Sequence, residues 1–478
     1  MSEPPLPLVI DLDGTLVHTD TLLEQLVLVA FKAPGRAPSM LFALLKGRAA
    51  FKRAVAQAAQ LDVRTLPYDE ALLTFAADRK SAGASVHLVT AADQSIADGV
   101  AAHVGVFGTA QGSDGRTNLK GSTKAAAVAE RFRDGFAYVG DSGADLPVWR
   151  KAREVLVMGG GPGLYGRLAR EGLGPHHAFA WPSGGLRDWL TALRVHQWSK
   201  NAVLLVPLVL SQQFLNPEIL LRAAIGLVLF NLVASATYLI NDLSDLAADR
   251  AHPTKRQRPL AAGKIHIRTA APTALLLLLG GLAGTLLLHP AFGLVSLGYV
   301  VTTLFYSFTL KAQPLIDTMT IGGLFTVRVI AGMVLVDSPV SPWLGAFTFM
   351  LFTSLALAKR NGELVRAQQA GRPVVGRGYL AGDALLTTSL GLATGVTAVL
   401  LMVLYMELEA RMTGLYANVG PLFMISVVLA AWILRVWLRA HRGELQDDPV
   451  VFALKDRTSW FHAGAVALLW LAAVRPIL

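Results

Sequence analysis

Apolar runs long enough to cross a lipid bilayer fill the second half of this chain. From about residue 202 onward nine apolar runs alternate with polar loops, at about 202–214, 219–240, 269–289, 291–310, 317–337, 342–358, 384–407, 418–437 and 463–478. The first run is short for the hydrocarbon core, and we expect its helix to begin earlier. About 20 apolar residues in a helix span the ~30 Å hydrocarbon core of a bilayer. Because lipid offers no hydrogen-bond partners to an exposed backbone, such runs must be helical. The sequence therefore predicts an all-α bundle with nine transmembrane helices.

Positive charge distinguishes the two sides of this bundle. The formal net charge of +10 alone fits either a nucleic-acid binder or a membrane protein. Because only 16% of the residues are charged and 53% are hydrophobic, we expect a membrane protein without a nucleic-acid partner. Lys and Arg concentrate in every second loop, which the positive-inside rule assigns to the cytoplasm together with the N-terminal part. The chain has no cysteine, which excludes thiolate nucleophiles and Cys-ligated metals.

Residues 1–180 have the pattern of an α/β domain with a Rossmann-like parallel sheet. Short apolar runs bounded by turns alternate there with Ala-rich helical stretches. The candidate strands are Pro7–Asp11, Ser85–Thr90, Phe136–Val139 and Glu154–Met158. Tryptophans and leucines among charges in residues 181–200 predict an interfacial linker helix before the transmembrane domain at 201–478.

Polar residues with phosphate chemistry follow the first three candidate strands. Asp11 and Asp13, in the run Asp-Leu-Asp-Gly-Thr-Leu, have the spacing of a nucleophile and an acid/base acting on one substrate. The attack of an anion on a phosphate also needs charge compensation. The candidates are Thr90 for the phosphoryl oxygens, Lys124 in preference to the nearby Lys120 for neutralisation, and Asp141 with Asp145 for Mg²⁺. A plain turn at Asp13 and a helix cap at Asp141 are the structural alternatives.

These four pieces, in this order, resemble the haloacid dehalogenase superfamily of phosphohydrolases over about residues 6–160. The resemblance implies a Mg²⁺ site that includes Asp11 and Asp13 beside Asp141 and Asp145. It also implies that the mostly helical residues 20–80 form a substrate-selecting cap.

A second acidic motif lies at the end of the second apolar run. With about 100° of rotation per residue, Asn241, Asp242, Asp245 and Asp249 fall within one arc of about 100° on a helix. Carboxylates gathered at the edge of an apolar bundle repel one another unless a cation lies among them. Mg²⁺ that bridges to a diphosphate is the natural candidate, and a solvated helix end is the alternative.

Basic residues that could bind phosphate accompany this motif. Lys255, Arg256 and Arg258 follow in a Pro-bounded loop, where positive-inside topology alone would also place them. Arg328 lies well inside an apolar run, on nearly the same helical face as Asp317. An intramembrane arginine is a functional candidate, and a structural pair with an acid from a neighbouring helix is the alternative.

The acidic motif and the helix count resemble the UbiA superfamily of intramembrane prenyltransferases over about residues 190–478. Aromatic-acceptor members carry a second motif with paired aspartates, whereas the stretch from Tyr306 to Asp317 here holds Lys311 and a single aspartate. The whole set is closer to the decaprenyl-phosphate phosphoribosyltransferase branch. That branch transfers 5-phosphoribose from phosphoribosyl diphosphate to a polyprenyl phosphate with Mg²⁺.

The resemblance implies catalytic and metal-binding roles for Asp242, Asp245 and Asp249. It implies substrate-binding roles for Lys200, Asn241, Lys255, Arg256, Arg258, Tyr306, Lys311, Arg328, Lys359 and Arg360. Because the expected product retains a phosphomonoester, we expect a bifunctional enzyme of the bacterial cytoplasmic membrane whose soluble domain removes that 5-phosphate. An aromatic polyprenyltransferase with an independent phosphatase and a non-enzymatic lipid-binding scaffold are the alternatives, and a homo-oligomer is compatible with the sequence.

Overall fold

The computed structural model describes residues 5–181, 184–371, 378–445 and 449–474. The chain divides into two compact units. Unit 1 consists of Met1–Arg194 and Tyr238–Ala274, and unit 2 consists of Val195–Thr237 and Leu275–Leu478. The 238–274 segment, which carries the acidic motif, therefore groups with the N-terminal part of the chain.

A six-stranded parallel sheet forms the centre of unit 1, and a parallel sheet is what the sequence predicts there. Its strands are β1 Leu8–Ile10, β2 Val86–Asp93, β3 Thr109–Ser113, β4 Ala137–Gly140, β5 Glu154–Met158 and β6 His177–Phe179. Their order is β3-β2-β1-β4-β5-β6, so the winding direction reverses between β1 and β4. Ligands of open parallel sheets bind outside the carboxyl ends of the strands at such a reversal.

Helices cover both faces of this sheet. The helices before unit 2 are α1 Thr21–Lys32, α2 Ala37–Leu45, α3 Arg48–Ala58, α4 Glu70–Ser81, α5 Gln94–Val104, α6 Ser122–Arg131, α7 Leu146–Trp149, α8 Pro162–Arg170 and α9 Leu186–Ala192. Leu8 and Ile10 of β1 pack in one buried cluster with residues of α4 and α5, whereas Val9 packs in another with residues of α6, α7 and α8. This alternation is what a strand buried on both faces requires.

Helices α1, α2 and α3 follow β1 in the chain and have a small core of their own, and we call them the cap. Val29 of α1, Met40 of α2 and Val55 of α3 make this core. Helix α4, which also lies within the predicted cap of residues 20–80, packs on the sheet instead. The predicted linker helix at residues 181–200 is shorter than expected, because only the seven residues of α9 are α-helical and 3-10 turns occupy Val195–Leu205.

The rest of the chain is helical, with no strand in its described part. The helices are α10 Val206–Leu210, α11 Pro217–Ser244, α12 Leu246–Ala251, α13 Ile267–Leu288, α14 Pro290–Phe308, α15 Ile316–Leu335, α16 Pro342–Gln369, α17 Ala384–Leu408, α18 Gly420–His441, α19 Pro449–Lys455 and α20 Arg457–Ala473. Seven of the described helices, α11, α13, α14, α15, α16, α17 and α18, are long and apolar enough to cross a membrane. The protein is therefore an integral membrane protein.

The predicted count of nine spans is not reproduced. Residues 202–214 form 3-10 turns and the five-residue helix α10 instead of one long helix. Pro207 lies in the first turn of α10, and a helix of five residues is about 7.5 Å long, far short of the hydrocarbon core. The last predicted run corresponds to α20. With 17 residues, this helix is shorter than each of the seven helices that could span a membrane. Residues 475–478 lie outside the described part.

Candidate functional sites

Three carboxylates of unit 1 meet where the winding of the sheet reverses. Asp11 follows β1, and Asp141 and Asp145 follow β4. One carboxylate oxygen from each lies within 4.8 Å of the others. Carboxylate oxygens at this spacing are the ligands that Mg²⁺ prefers, so the residues present fit such an ion. Burial raises the pKa of Asp11, and burial together with the nearby Asp145 carboxylate raises that of Asp141 to about 7.

A buried lysine neutralises part of this charge. The Lys124 Nζ lies 2.9 Å from an oxygen of Asp11 and 3.6 Å from an oxygen of Asp145. It also donates a 3.0 Å hydrogen bond to the Tyr138 hydroxyl, which in turn donates to Asp145 at 2.7 Å. Lys120 lines the same pocket from an exposed position. The structure thus brings Lys124, rather than Lys120, into contact with the Asp11 carboxylate, and Tyr138 is a member of the site that no sequence pattern indicated.

The other two residues predicted for this site differ in their surroundings. Asp13 lines the pocket, and its Oδ1 accepts a 2.8 Å hydrogen bond from the Thr21 backbone N–H. Burial is the main cause that raises the pKa of Asp13 to about 7. Asp13 does not belong to the group of three carboxylates described above. Thr90 is fully buried in β2, and its hydroxyl accepts a hydrogen bond from the Ala92 backbone N–H.

Gly14 allows the loop after β1 to approach Asp141. Its φ is +75°, and a Cβ atom added there would lie 2.4 Å from the Asp141 Oδ2. For Gly14→Ala we expect Mg²⁺-dependent phosphate release from a phosphomonoester to fall by on the order of 10-fold, because the Asp141 carboxylate must move. A Mg²⁺ titration of phosphate release measures this. Gly35→Ala is the matched control, because a Cβ there meets nothing within 4 Å, and an equal loss in both variants would contradict the prediction.

The 238–274 segment supplies residues to the same pocket. His266 and Arg268 line it together with Lys52 of the cap and Asp20. The Arg268 guanidinium donates to Asp20 Oδ2 at 2.5 Å. His266 stacks on the Trp181 ring with a centroid distance of 5.1 Å. None of these contacts was predicted, because the partners are far apart in the sequence.

A buried ion pair holds the 238–274 segment to the cap. Arg250 donates two hydrogen bonds, of 2.6 and 2.9 Å, to the two carboxylate oxygens of Glu24 in α1. The side chains are 6% and 3% exposed. Thr19 donates a third hydrogen bond to Glu24, and the Arg250 Nε donates to the carbonyl of Ala261. A pair this buried and this completely hydrogen-bonded fixes the position of both segments.

Removing one member of this pair leaves an uncompensated buried charge. For Glu24→Gln we expect about 3 kcal/mol of local destabilisation, and the same for Arg250→Met. Hydrogen exchange of the backbone amides of α1 and α12 measures it. The double variant should lose less than the sum of the single losses, because both charges are gone. Glu130→Gln, at an exposed position of α6, is the control, and the prediction is wrong if Glu24→Gln exchanges no faster than this control.

The acidic motif lies where α11 ends and α12 begins. Asp242 and Asp249 are buried, and the Arg258 Nη1 joins them with hydrogen bonds of 3.1 Å to Asp242 and 2.6 Å to Asp249. Arg194 donates to the same Asp242 oxygen at 2.5 Å, and the Lys255 Nζ lies 3.9 Å from Asp249. Burial raises the pKa of Asp249. An arginine therefore occupies the place between carboxylates where the sequence predicts a metal ion.

The motif is not the single helical face that the sequence predicts. The helix α11 ends at Ser244, and Asp245, with φ −100° and ψ 10°, separates it from α12. Asn241, in the last turn of α11, and Asp245, at the break, are half-buried. Mg²⁺ is ordinarily held by one or two carboxylates and by substrate phosphates, and Asp242 with Asp249 fits that arrangement. Arg256 lies exposed in the turn Lys255–Gln257.

Arg328 is buried inside unit 2 against neutral oxygens. Its Nε donates to the Asn201 side chain at 2.7 Å, its Nη1 to the Leu324 carbonyl at 2.6 Å and its Nη2 to the Tyr299 hydroxyl at 3.1 Å. The guanidinium also lies over the rings of Tyr299 and Phe325. The described contacts of Arg328 include no carboxylate. Arg328 therefore stays a candidate for binding an anionic group.

Arg360, in contrast to Arg328, has carboxylate partners in the described part of the chain. Its Nη2 lies 3.1 Å from the Asp317 Oδ2, and its Nη1 contacts Glu363. The Tyr379 hydroxyl donates to the other Asp317 oxygen at 2.6 Å and accepts from the Leu315 N–H. Tyr379 is a second residue that no sequence pattern indicated.

The remaining predicted phosphate-binding residues of unit 2 are half-buried. They are Lys200 in the turns Val195–Leu205, Tyr306 in α14, Lys311 in the turn Leu310–Ala312 and Lys359 in α16 next to Arg360.

Known proteins resemble both the membrane part and the whole chain. Residues 202–471 match the model of the UbiA prenyltransferase family. The uncharacterised protein y4nM of Sinorhizobium fredii is 43% identical over 470 residues, which cover 98% of this chain and 91% of that protein. The nodulation protein NoeC of Azorhizobium caulinodans is 34% identical and covers 56% of this chain and 87% of its own length. The decaprenyl-phosphate phosphoribosyltransferase of Mycobacterium tuberculosis is 33% identical over 299 residues, which cover 61% of this chain and 95% of that enzyme.

These matches differ in how much of the chain they cover. The match to the Sinorhizobium protein spans both units, whereas the match to the phosphoribosyltransferase accounts for nearly all of that enzyme but leaves more than a third of this chain outside. The family model covers more than half of the 478 residues. This chain is therefore a member of the UbiA prenyltransferase family.

Proposed function

We propose that this protein transfers 5-phosphoribose from phosphoribosyl diphosphate to a polyprenyl phosphate and that unit 1 then removes the 5-phosphate from the lipid product. The name of the Mycobacterium relative supports the first activity. One observation carries the link between the two: the pocket around Asp11 is lined by His266 and Arg268 of the segment that also contains the acidic motif. The two chemistries therefore share one compact unit.

Unit 1 has the groups that a two-step phosphate hydrolysis needs. A carboxylate oxygen of Asp11 attacks phosphorus and forms an aspartyl phosphate, while the ribose 5-oxygen leaves with a proton from Asp13. Water then attacks phosphorus and gives its proton to Asp13, so that inorganic phosphate leaves and Asp11 is regenerated. Lys124, 2.9 Å from Asp11, offsets the negative charge of the phosphoryl group. Mg²⁺ held by Asp11, Asp141 and Asp145 would supply further compensation.

The acidic motif has the groups that a diphosphate leaving group needs. The bond between ribose C1 and the diphosphate oxygen breaks, and an oxygen of the lipid phosphate forms the new bond to C1. Asp242 and Asp249 would hold Mg²⁺, which would supply positive charge to offset that of the departing diphosphate. Arg258, which bridges these carboxylates, would turn to the phosphates of the donor when they are present. The lipid phosphate is already an anion, so its attack requires no protein base.

The phosphoribosyl diphosphate donor and the 5-phosphate of the phosphatase substrate are both charged, so we expect them in the aqueous phase and not in the hydrocarbon core. We place unit 1 and the basic loops on the cytoplasmic side, where the positive-inside rule puts Lys and Arg. Arg328, Lys359 and Arg360 of unit 2 are proposed to bind phosphate, since two of them are buried cations and all three are able to donate to phosphate oxygens.

The donor decides between this proposal and ordinary prenyl transfer. Purified full-length protein in proteoliposomes is incubated with Mg²⁺, polyprenyl phosphate and phosphoribosyl diphosphate, and in parallel with a prenyl diphosphate and an aromatic acceptor. Mass spectrometry of the extracted lipids identifies the product. We expect a ribosylated polyprenyl phosphate with the first donor and no prenylated aromatic with the second. The reverse pattern would contradict the proposal.

A further inference from the structure

Helix α2 of the cap has exposed apolar side chains that do not belong to the core of the cap. In α2, Met40 is buried in the cap, whereas Leu41, Phe42, Leu44 and Leu45 are 65%, 62%, 47% and 83% exposed. At about 100° per residue these four side chains lie within one arc of about 160°. A helix of a water-soluble protein presents its apolar stripe to the core. Helix α2 presents its larger apolar stripe outward.

Positive charge surrounds this surface. The stretch from Gln25 to Leu61, which contains all of α2 and α3, has no Asp or Glu, and its six basic residues are Lys32, Arg36, Lys46, Arg48, Lys52 and Arg53. Lys46 and Arg48 are exposed directly after α2, and the Lys46 Nζ lies 5.3 Å from the centroid of the Phe42 ring. Exposed apolar side chains flanked by Lys and Arg are the composition of a helix that binds an anionic membrane surface.

Two further features point to the bilayer as the occupant. Helices α1 and α2 together have the length and hydropathy of a membrane span but are bent by 114° at the turn between them. Unit 1 also contains the end of α11 and the beginning of α13, which are parts of two membrane-spanning helices. Unit 1 is therefore attached to the membrane surface through its own residues.

We propose that the cap of unit 1 binds the bilayer, with Leu41, Phe42, Leu44 and Leu45 inserted at the boundary between headgroups and acyl chains and with Lys46 and Arg48 at the anionic headgroups. An interfacial helix buries its apolar face about 5–10 Å into that boundary. The contact places the cap, whose Lys52 lines the pocket around Asp11, at the depth where the phosphate of a lipid-linked substrate lies. This inference goes beyond the proposed function and does not depend on it.

The absence of cysteine makes a direct test possible. Phe42→Cys, Leu45→Cys and the control Glu130→Cys, each at an exposed position, are labelled with nitrobenzoxadiazole in the full-length protein. Each is reconstituted as one copy per nanodisc of phosphatidylcholine and phosphatidylglycerol, with and without nitroxide-labelled lipid. Transferase activity with phosphoribosyl diphosphate or a prenyl diphosphate is not needed for the readout.

We expect emission at positions 42 and 45 to shift to the blue and to be quenched by nitroxide lipid several-fold more than at position 130. Equal quenching at all three positions would overturn the proposal. A blue shift at positions 42 and 45 without lipid quenching would also overturn it, because protein and not lipid would then cover the surface. All three variants must keep the thermal unfolding midpoint of the parent protein.

Discussion

Asp11→Asn is expected to reduce phosphate release by unit 1 by on the order of 10³-fold or more. The substitution removes the carboxylate that attacks phosphorus in the proposed mechanism, and removing a covalent nucleophile eliminates the step that it performs. The substitution also removes the negative charge that attracts Lys124, 2.9 Å away. In addition, it removes one of the three carboxylates that could hold Mg²⁺. Release of inorganic phosphate from a soluble phosphomonoester, measured with the full-length protein, reports the loss.

Asp20→Asn is the matched control for this variant. Asp20 lines the same pocket and pairs with Arg268, but it does not belong to the carboxylate group around Asp11. We expect it to retain most of the activity, because its ion pair is partly exposed and such pairs contribute little. If Asp11→Asn lost no more activity than Asp20→Asn, Asp11 would not be the nucleophile.

Asp242→Asn is expected to reduce transfer to the lipid by on the order of 10²–10³-fold. Asp242 is buried and receives hydrogen bonds from both Arg194 and Arg258, so the amide would break the arrangement that positions the motif. It would also remove one of two carboxylates for an ion that stabilises the leaving diphosphate, and loss of one such stabilising group has effects of this size. The rate of ribosylated lipid formation at saturating Mg²⁺ measures it.

Two observations separate a catalytic effect from misfolding in this variant. Phosphate release by unit 1 should persist in Asp242→Asn, because the Asp11 pocket does not include Asp242. Glu407→Gln, which removes an exposed pair with Arg411 in unit 2, should leave lipid transfer within about twofold of the parent. Equal losses of transfer in Asp242→Asn and Glu407→Gln would contradict the role given to Asp242.

Local patterns predicted the parts of this molecule that depend on nearby residues. A buried apolar strand followed directly by an acid marks β1 and Asp11, and the same pattern marks β4 and Asp141. The parallel sheet then brings both acids to one edge. The strands β3 and β6 escaped prediction because neither Thr109–Ser113 nor His177–Phe179 is a continuous apolar run like that of β1.

Contacts across long sequence separations could not be predicted in this way. Glu24 and Arg250 are 226 residues apart, and Asp20 and Arg268 are 248 residues apart. In the sequence each of these residues has the appearance of an ordinary surface charge. They pair because the 238–274 segment folds with the N-terminal part of the chain in unit 1. The acidic motif shows the same limit, because its four residues share one face only on a helix that continues through Asp245, where α11 and α12 separate.

The lipid product itself tests the coupling of the two activities most directly. Wild-type protein and Asp11→Asn are reconstituted in proteoliposomes that contain polyprenyl phosphate, given phosphoribosyl diphosphate and Mg²⁺, and sampled over time for mass spectrometry. We expect wild type to form polyprenyl-phosphoryl ribose and Asp11→Asn to accumulate the same lipid with its 5-phosphate retained. If both proteins gave the same lipid at every time point, unit 1 would not act on the product of the transferase.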